Sequence, residues 1–249
     1  MAFEKFINRV VINAKLVAVT PLYIGARTDS IMPSDVNGSF VKDVYGRPYI
    51  PGSSLKGVLR AFLTSVMEEP TISDVEKEFG RKEKRDKFDN PEKLAKAIAC
   101  LSTPVEMLFG STVMAGKVKI ADAMPVDERI TPDIRNGVAI ERDTHTAYGG
   151  ALFNTETMPS GTSFRFIASA ENLVSEEAFL FGKLIEYFAD GNITVGGRSR
   201  AGLGNIELRD VDIKIYRMGK DGFPVSEAPI RCGTDEISEV ISNVCKIAE

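Results

Sequence analysis

Pro48-Tyr-Ile-Pro-Gly-Ser-Ser-Leu-Lys-Gly-Val-Leu-Arg-Ala-Phe-Leu-Thr-Ser-Val66 is the stretch on which the fold turns. Leu55, Val58, Leu59, Phe62, Leu63 and Val66 recur at helical spacing behind a Pro-Gly-Ser-Ser entry, with Ser53 or Ser54 placed to cap the helix. A strand precedes it over residues 5–19, where Val10, Ile12, Ala14, Leu16 and Ala18 alternate onto one face and Asn13 and Lys15 onto the other. A short strand follows in Lys117-Val-Lys-Ile-Ala-Asp-Ala123. The order then repeats. Phe164, Phe166 and Ala168 alternate on a strand, and Ser175-Glu-Glu177 opens a helix carrying Phe181, Leu184, Ile185 and Phe188 that stops at Asp190-Gly191. Ile206, Leu208, Val211, Ile213 and Ile215 make the last long strand, and the slip of phase between Leu208 and Val211 predicts a bulge. A C-terminal helix with Ile237, Val240, Ile241 and Val244 on one face closes the chain. Two strand–helix–strand units in series predict an α+β fold of the ferredoxin-like, split-βαβ kind.

Composition is that of an ordinary globular protein: 249 residues, 43% hydrophobic and 27% charged, with 31 basic against 35 acidic side chains. No run approaches the ~20 apolar residues of a membrane span. Met1-Ala-Phe-Glu-Lys-Phe6 lacks the apolar core of a signal peptide, so a cytoplasmic location is expected. Cys100, Cys232 and Cys245 are odd in number and widely spaced, which excludes a disulfide framework and a zinc ribbon. His145 is the single histidine, so a His-rich metal site is excluded too. A pI near 5.3 argues against generic charge-driven binding of nucleic acid but leaves room for a local basic groove.

One domain over residues 1–249 is expected, with excursions. Pro21 to Pro48 is rich in Gly, Pro, Ser, Asp and Asn and is too broken to be core. Seven acidic and eight basic side chains between Asp74 and Lys96 mark a solvated helical insertion. Within it, Asn90-Pro91 starts a helix carrying Leu94, Ala97, Ile98 and Leu101. Thr131 to Ser160 reads as a long hairpin-like excursion, and excursions of that length are usually functional.

Two stretches carry chemistry. At Gly52-Ser53 the unpaired N–H groups of a helix start attract an anion, and Lys56 and Arg60 follow four residues apart. The plain alternative is a capped helix with two solvated basic residues. Gly196-Gly-Arg-Ser-Arg-Ala-Gly-Leu-Gly-Asn205 lacks a G-K-[ST] ending and lies between two strands, so neither a Walker nor a Rossmann loop fits. Its glycines let backbone approach a ligand closely, and Arg198 and Arg200 suit phosphates; a flexible hairpin turn is the alternative.

Ile50-Pro-Gly-Ser-Ser-Leu-Lys-Gly57, Leu108-Phe-Gly-Ser111 and the late Gly196–Gly204 loop, in that order, resemble the RAMP superfamily. The likeness is in particular to the repeating backbone subunit of type III CRISPR effector complexes, over residues 6–216. The resemblance implies a modified ferredoxin-like palm, similar to an RNA-recognition motif, with a helical lid over 71–105 and a β-hairpin thumb over 131–160. It implies as partners a CRISPR RNA, a complementary target RNA, copies of the chain stacked head to tail, and other type III effector subunits, with no membrane. Each thumb would push between guide and target and flip a base pair. Active members cut the target beside each kink, using an aspartate in the loop after the first strand and a divalent metal, Mg²⁺.

Phe40-Val-Lys-Asp43 matches the step that follows this aspartate in the family, which assigns Asp35, with Asp29 as fallback and Asp35 as the possible metal ligand. RNA-binding residues implied are Lys42, Ser53, Ser54, Lys56, Arg60, Arg135, Arg142, Gly197, Arg198, Ser199, Arg200 and Gly202. Ile134, Val138 and Ile140 are the wedge, because apolar insertion unstacks bases. His145 is read as a thumb residue facing a base or solvent. RNA carries its own nucleophile in the 2′-OH, so one loop carboxylate suffices as base. Three other readings stand beside this one: a scaffold of the same kind without cleavage, a CRISPR-RNA processing nuclease, and a small-molecule enzyme. The second commonly uses a histidine near the first helix, where this chain has none, and no cofactor fingerprint supports the third.

Overall fold

Alternation of apolar side chains buries one face of β1 (Asn8–Ala18), and this strand is central to the sheet. Val10, Ile12, Leu16 and Ala18 lie under the helices, while Val11, Asn13 and Lys15 look the other way. The computed structural model describes residues 5–25, 39–69, 73–81, 85, 90–127 and 130–245, leaving aside the side chains of 150–152. In it β1 pairs antiparallel with β5 (Ser163–Glu171) on one side and β6 (Ile206–Met218) on the other. β2 (Val118–Ile120) adds to the far edge of β5, and the short β7 (Pro224–Ser226) and β8 (Ile230–Arg231) both pair with β6. The spatial order is β2-β5-β1-β6-β7. The connection from β1 to β2 contains α1 (Gly52–Val66), and α5 (Ser175–Ala189) joins β5 to β6. Each connection skips one intervening strand, which is the split order expected from the sequence.

The core forms where the two helices meet the sheet. Leu55, Leu59 and Leu63 of α1 and Phe181, Leu184, Ile185 and Phe188 of α5 are buried with Ile12, Leu16, Phe164 and Phe166. The rings of Phe166 and Phe188 stand 5.6 Å apart, tilted by 45°. Full burial of each such side chain contributes about 1.5–3 kcal/mol. Val66 and Leu101, expected on buried faces, are exposed, because each ends its helix where the chain leaves the core. The bulge is present: Asn13 pairs with Asp212 but Lys15 with Arg209, and the extra residue Asp210 takes φ 53°. α6 (Ile237–Ser242) is shorter than expected and continues as a 3-10 turn over Asn243–Cys245, with Ile237, Ile241 and Val244 still buried.

The charged insertion hides a small core of its own. Ser73 caps α2 (Asp74–Phe79) and Asn90 caps α3 (Pro91–Leu101), each accepting a backbone N–H two or three residues on. Val75, Phe79 and Ile98 cluster with Leu94, Ala97, Val113 and Met114. A helix not foreseen, α4 (Pro104–Phe109), begins at a capping box formed by Thr103 and Glu106. Residues 131–160 do form a hairpin, β3 (Asp133–Ile140) with β4 (Ala147–Thr157), as a separate two-stranded sheet. The three cysteines are free, and no helix among the described residues is long and apolar enough to cross a membrane.

One ion pair is locked inside. Lys117 Nζ donates to Glu177 Oε2 at 2.6 Å and to the Asn172 carbonyl at 2.9 Å, with the two side chains 5% and 7% exposed. It ties the entry of β2 to the start of α5. Removing one partner leaves a buried charge unpaired, so Lys117→Met is expected to lower stability by about 3–5 kcal/mol, read from the midpoint of chemical denaturation. Lys117→Met combined with Glu177→Leu is expected to recover much of that loss.

Candidate functional site

The chain leaving β1 is hydrogen-bonded on both sides. On one side the Val19 and Thr20 amides donate to the Asn205 carbonyl at 2.9 and 3.2 Å, Gly204 N donates to Pro21 O at 3.0 Å, and Gly197 N donates to Tyr23 O at 2.9 Å. On the other, Leu22 and Met158 exchange main-chain bonds of 2.9 and 2.8 Å. Residues 19–25 therefore lie between the glycine-rich loop and the foot of the β3–β4 hairpin. Gly196 has φ +86°, and a Cβ there would stand 2.2 Å from Tyr23 O, so the loop closes on this segment only with glycine.

Arg198 follows in the left-handed region at φ 60°, N-terminal to the 3-10 turn Ser199–Ala201. Its guanidinium carbon lies 5.6 Å from the centroid of the Tyr23 ring and 4.5 Å from that of Phe153. Those cation–π contacts join loop, exit segment and hairpin. A cleft of about 200 Å³ opens beside them, lined by Arg135, Phe153, Thr155, Thr157 and Arg198. The buried Thr155 Oγ1 has no partner among the described residues. Register sets Arg135 opposite Thr155 and Gly137 opposite Phe153, so these four share the hairpin face toward the loop. Ile134 and Val138 fall on the opposite face and are exposed, as is Ile140 nearer the tip. Arg142 and His145 stand exposed in the tip turn.

Asp29 and Asp35 lie outside the described residues. The two legs of their loop are described. Gly25 bridges to Phe40, and Val41 N donates to Ile24 O at 3.0 Å. Glu156 of β4 accepts from the Phe40 amide through Oε2 at 2.9 Å and from Lys42 Nζ through Oε1 at 2.6 Å. Lys42 thus has a protein partner. Asp43 holds the turn that follows, accepting from the Tyr45 and Arg47 amides and the Arg47 guanidinium. Desolvation works to raise its carboxyl pKa, but these hydrogen bonds and the Arg47 charge outweigh it and hold the group below the usual carboxylate range. Tyr49 N then bonds Val41 O at 3.2 Å and Ile50 N bonds Ala123 O at 3.0 Å, so one series of main-chain bonds runs from the glycine loop to α1.

The α1 entry differs from expectation. Pro51 stands at the cap without a side-chain bond, and Ser53 and Ser54 lie within the first turn. Asp122 Oδ1 accepts from Gly52 N at 2.7 Å, so the chain itself supplies a carboxylate to the helix start. Lys56 Nζ donates to the Val118 carbonyl at 2.8 Å. Burial, then the neighbouring Arg60 charge, push its ammonium below the usual lysine range. Ser53 and Arg60 remain exposed. This entry stands at the β2 edge, where Ile50 bridges to Ala123, three strands across the sheet from β6, which the glycine loop precedes.

Arg198 thus shares a cleft with Arg135, Gly197 bonds the exit segment, and Ser199, Arg200 and Gly202 follow in the same loop. Lys42 is held by Glu156 on the returning leg, and Ser53, Ser54, Lys56 and Arg60 form a second group on α1. Sequence reasoning missed Tyr23, Phe153 and Glu156, which only the fold brings to Arg198 and Lys42. Among the described residues no group of three or more His, Cys, Asp or Glu side chains could hold a metal ion, and Asp35, the expected ligand, lies outside them.

A sequence model of the RAMP superfamily matches residues 15–207. The chain is 24% identical over 232 residues, 84% of its own length and 87% of the other, to the CRISPR system Cms endoribonuclease Csm3 of Methanothermobacter thermautotrophicus. A local likeness, 41% identical over 54 residues, covers 22% of this chain and 15% of the CRISPR system Cms protein Csm5 of Streptococcus thermophilus.

The loop geometry is open to test. Gly196→Ala forces both a left-handed alanine and a collision with Tyr23 O, and is expected to cost about 2–3 kcal/mol. Gly202→Ala, at φ +80° with nothing within 4 Å of the new Cβ, is expected to cost only about 1 kcal/mol. Denaturation midpoints of the two variants measure the difference.

Proposed function

The chain belongs to the RAMP superfamily, and from that premise we propose that it is a backbone subunit of a type III CRISPR effector complex. In this reading it binds guide RNA and cuts complementary target RNA at regular intervals in antiviral defence. The observation that carries the reading is the seating of Arg198 between Tyr23 and Phe153, because it fastens a loop suited to phosphates to the foot of a long exposed hairpin. The likeness to an endoribonuclease over most of both chains supports the same assignment.

The main sheet with α1 and α5 is then the palm of a modified ferredoxin-like fold, residues 71–105 the lid and residues 131–160 the thumb. Ile134, Val138 and Ile140, all exposed, serve as the wedge that displaces a base pair. Arg135, Arg142, Arg198 and Arg200 take phosphates or stack on bases, and Gly197, Ser199 and Gly202 let the strand come close to backbone. Ser53, Ser54, Lys56 and Arg60 continue the track at the β2 edge, with Lys42 between the two groups. Copies stack head to tail on the guide, a heterologous contact that propagates as a filament, alongside other subunits of the complex.

A kinked target places its own 2′-oxygen in line with the leaving 5′-oxygen, and the Asp35 carboxylate accepts the 2′-hydroxyl proton, with Asp29 as the fallback. A divalent cation, Mg²⁺, would supply charge neutralisation at the phosphate when bound.

Asp35→Ala in the assembled complex is expected to leave guide and target binding intact and to abolish regularly spaced cuts, seen on a sequencing gel with guide-matched RNA and Mg²⁺. Cutting that persists in Asp35→Ala and stops in Asp29→Ala moves the role to Asp29. The chain has no Trp and six Tyr, so copurified RNA is expected to dominate the 260/280 ratio. A protein-only spectrum from a coexpressed complex would overturn the RNA reading.

A further inference from the structure

We infer that Glu156 is a positioning residue for this cleavage, coupling the wedge hairpin to the loop that carries Asp35, an inference that rests on the functional reading just given. Glu156 stands on β4 directly across from Ile134, so it belongs to the hairpin face that carries the wedge. Its side chain is 13% exposed, and both oxygens are engaged, one by the Phe40 amide at 2.9 Å and one by Lys42 Nζ at 2.6 Å. Phe40 is itself buried at 1% exposure, which fixes the returning leg of the loop at that point. The outgoing leg is held to the same strand end by the main-chain pair Leu22–Met158. Both legs are therefore referred to β4, the outgoing one through backbone and the returning one directly through the Glu156 carboxylate, besides its main-chain links to the outgoing leg at Ile24 and Gly25.

A hairpin that tilts when it enters a guide–target duplex moves Glu156 with Ile134, and Glu156 moves the leg at Phe40–Lys42. Cutting is in this way made to depend on correct insertion of the hairpin. Lys42, expected from the sequence to meet RNA, is part of this tie.

The test uses the assembled complex with guide-matched target and three variants: Glu156→Ala, Glu156→Gln, and the charge swap Lys42→Glu with Glu156→Lys. Misplacing a reacting group by an ångström is costly, so Glu156→Ala is expected to slow single-turnover cutting by about 10- to 100-fold. Target affinity is expected to stay within about twofold, since no phosphate contact is removed. Gln still accepts from the Phe40 amide and restores most of the rate, whereas the swap, which has no acceptor there, does not. Hydrogen exchange at the Phe40 amide rises about tenfold or more in Glu156→Ala while Leu22 and Met158 stay protected.

Cutting at the wild-type rate in Glu156→Ala, equal losses of cutting and binding, full rescue by the swap, or an unchanged Phe40 amide each overturn the inference. A wild-type complex that binds target and does not cut overturns the cleavage reading, and the catalytic role of Glu156 with it. The Phe40 amide then still decides whether Glu156 holds the leg.

Discussion

The exit of β1 cannot move without taking two other elements along. Backbone donors and acceptors removed from water must be paired, and along this exit Val19, Thr20, Pro21 and Tyr23 pair with the glycine loop while Leu22 pairs with the hairpin foot. Side chains strengthen the constraint by alternating. Leu22 and Ile24 point into the core at 0% and 5% exposure, while Tyr23 between them turns out to meet Arg198. Sliding either loop along this segment would expose Leu22 and Ile24 or break several main-chain bonds, each worth about 1 kcal/mol net. Three stretches that look soft in sequence are thereby held as one unit. The left-handed Arg198 fits this account: its backbone conformation is unfavourable for a side-chain residue, and the two aromatic rings and the turn hydrogen bond from Ala201 N to its carbonyl offset that.

The features legible in sequence are those with a local cause. Period-two alternation placed β1, β5 and β6, helical spacing placed α1 and α5, and the phase slip at Leu208–Val211 located the bulge to the residue pair. The hairpin was legible only as an excursion, since its exposed Ile134, Val138 and Ile140 show no core-facing rhythm. The unforeseen α4 did have a local signature in Thr103-Pro-Val-Glu106, which was outweighed by the charge density before it. The α1 cap was misplaced for a different reason. Asp122, which satisfies Gly52 N, is 70 positions away, and Ser53 and Ser54 were the nearer hydroxyls. The candidate site divides along the same line: the glycine loop announced itself, whereas the 114-residue separation of Lys42 and Glu156 leaves no trace in a linear reading. The charged insertion concealed the partners of Ile98, because Val75 and Phe79 stand among charged residues with no periodic signal, although the helix carrying Leu94, Ala97 and Ile98 was legible.

A net charge of −4 is compatible with a role on RNA once the basic side chains are sorted by what they already hold. Lys117 is spent on Glu177 and Arg47 on Asp43, while Lys42 and Lys56 of the proposed track also hold Glu156 and a β2 carbonyl. Arg60, Arg135, Arg142 and Arg200 are exposed, and all of them stand on the α1 entry, the hairpin or the glycine loop. Four arginines on one subunit gain little from counterion release, roughly one power of salt per phosphate neutralised. Repetition alters that arithmetic. When identical subunits sit in register on one strand, the second and later contacts form at a high effective concentration, and weak sites combine into a tight one. On the proposed function, a net charge of −4 with these four arginines on the RNA-facing elements therefore favours assembly on a long guide over capture of single short strands.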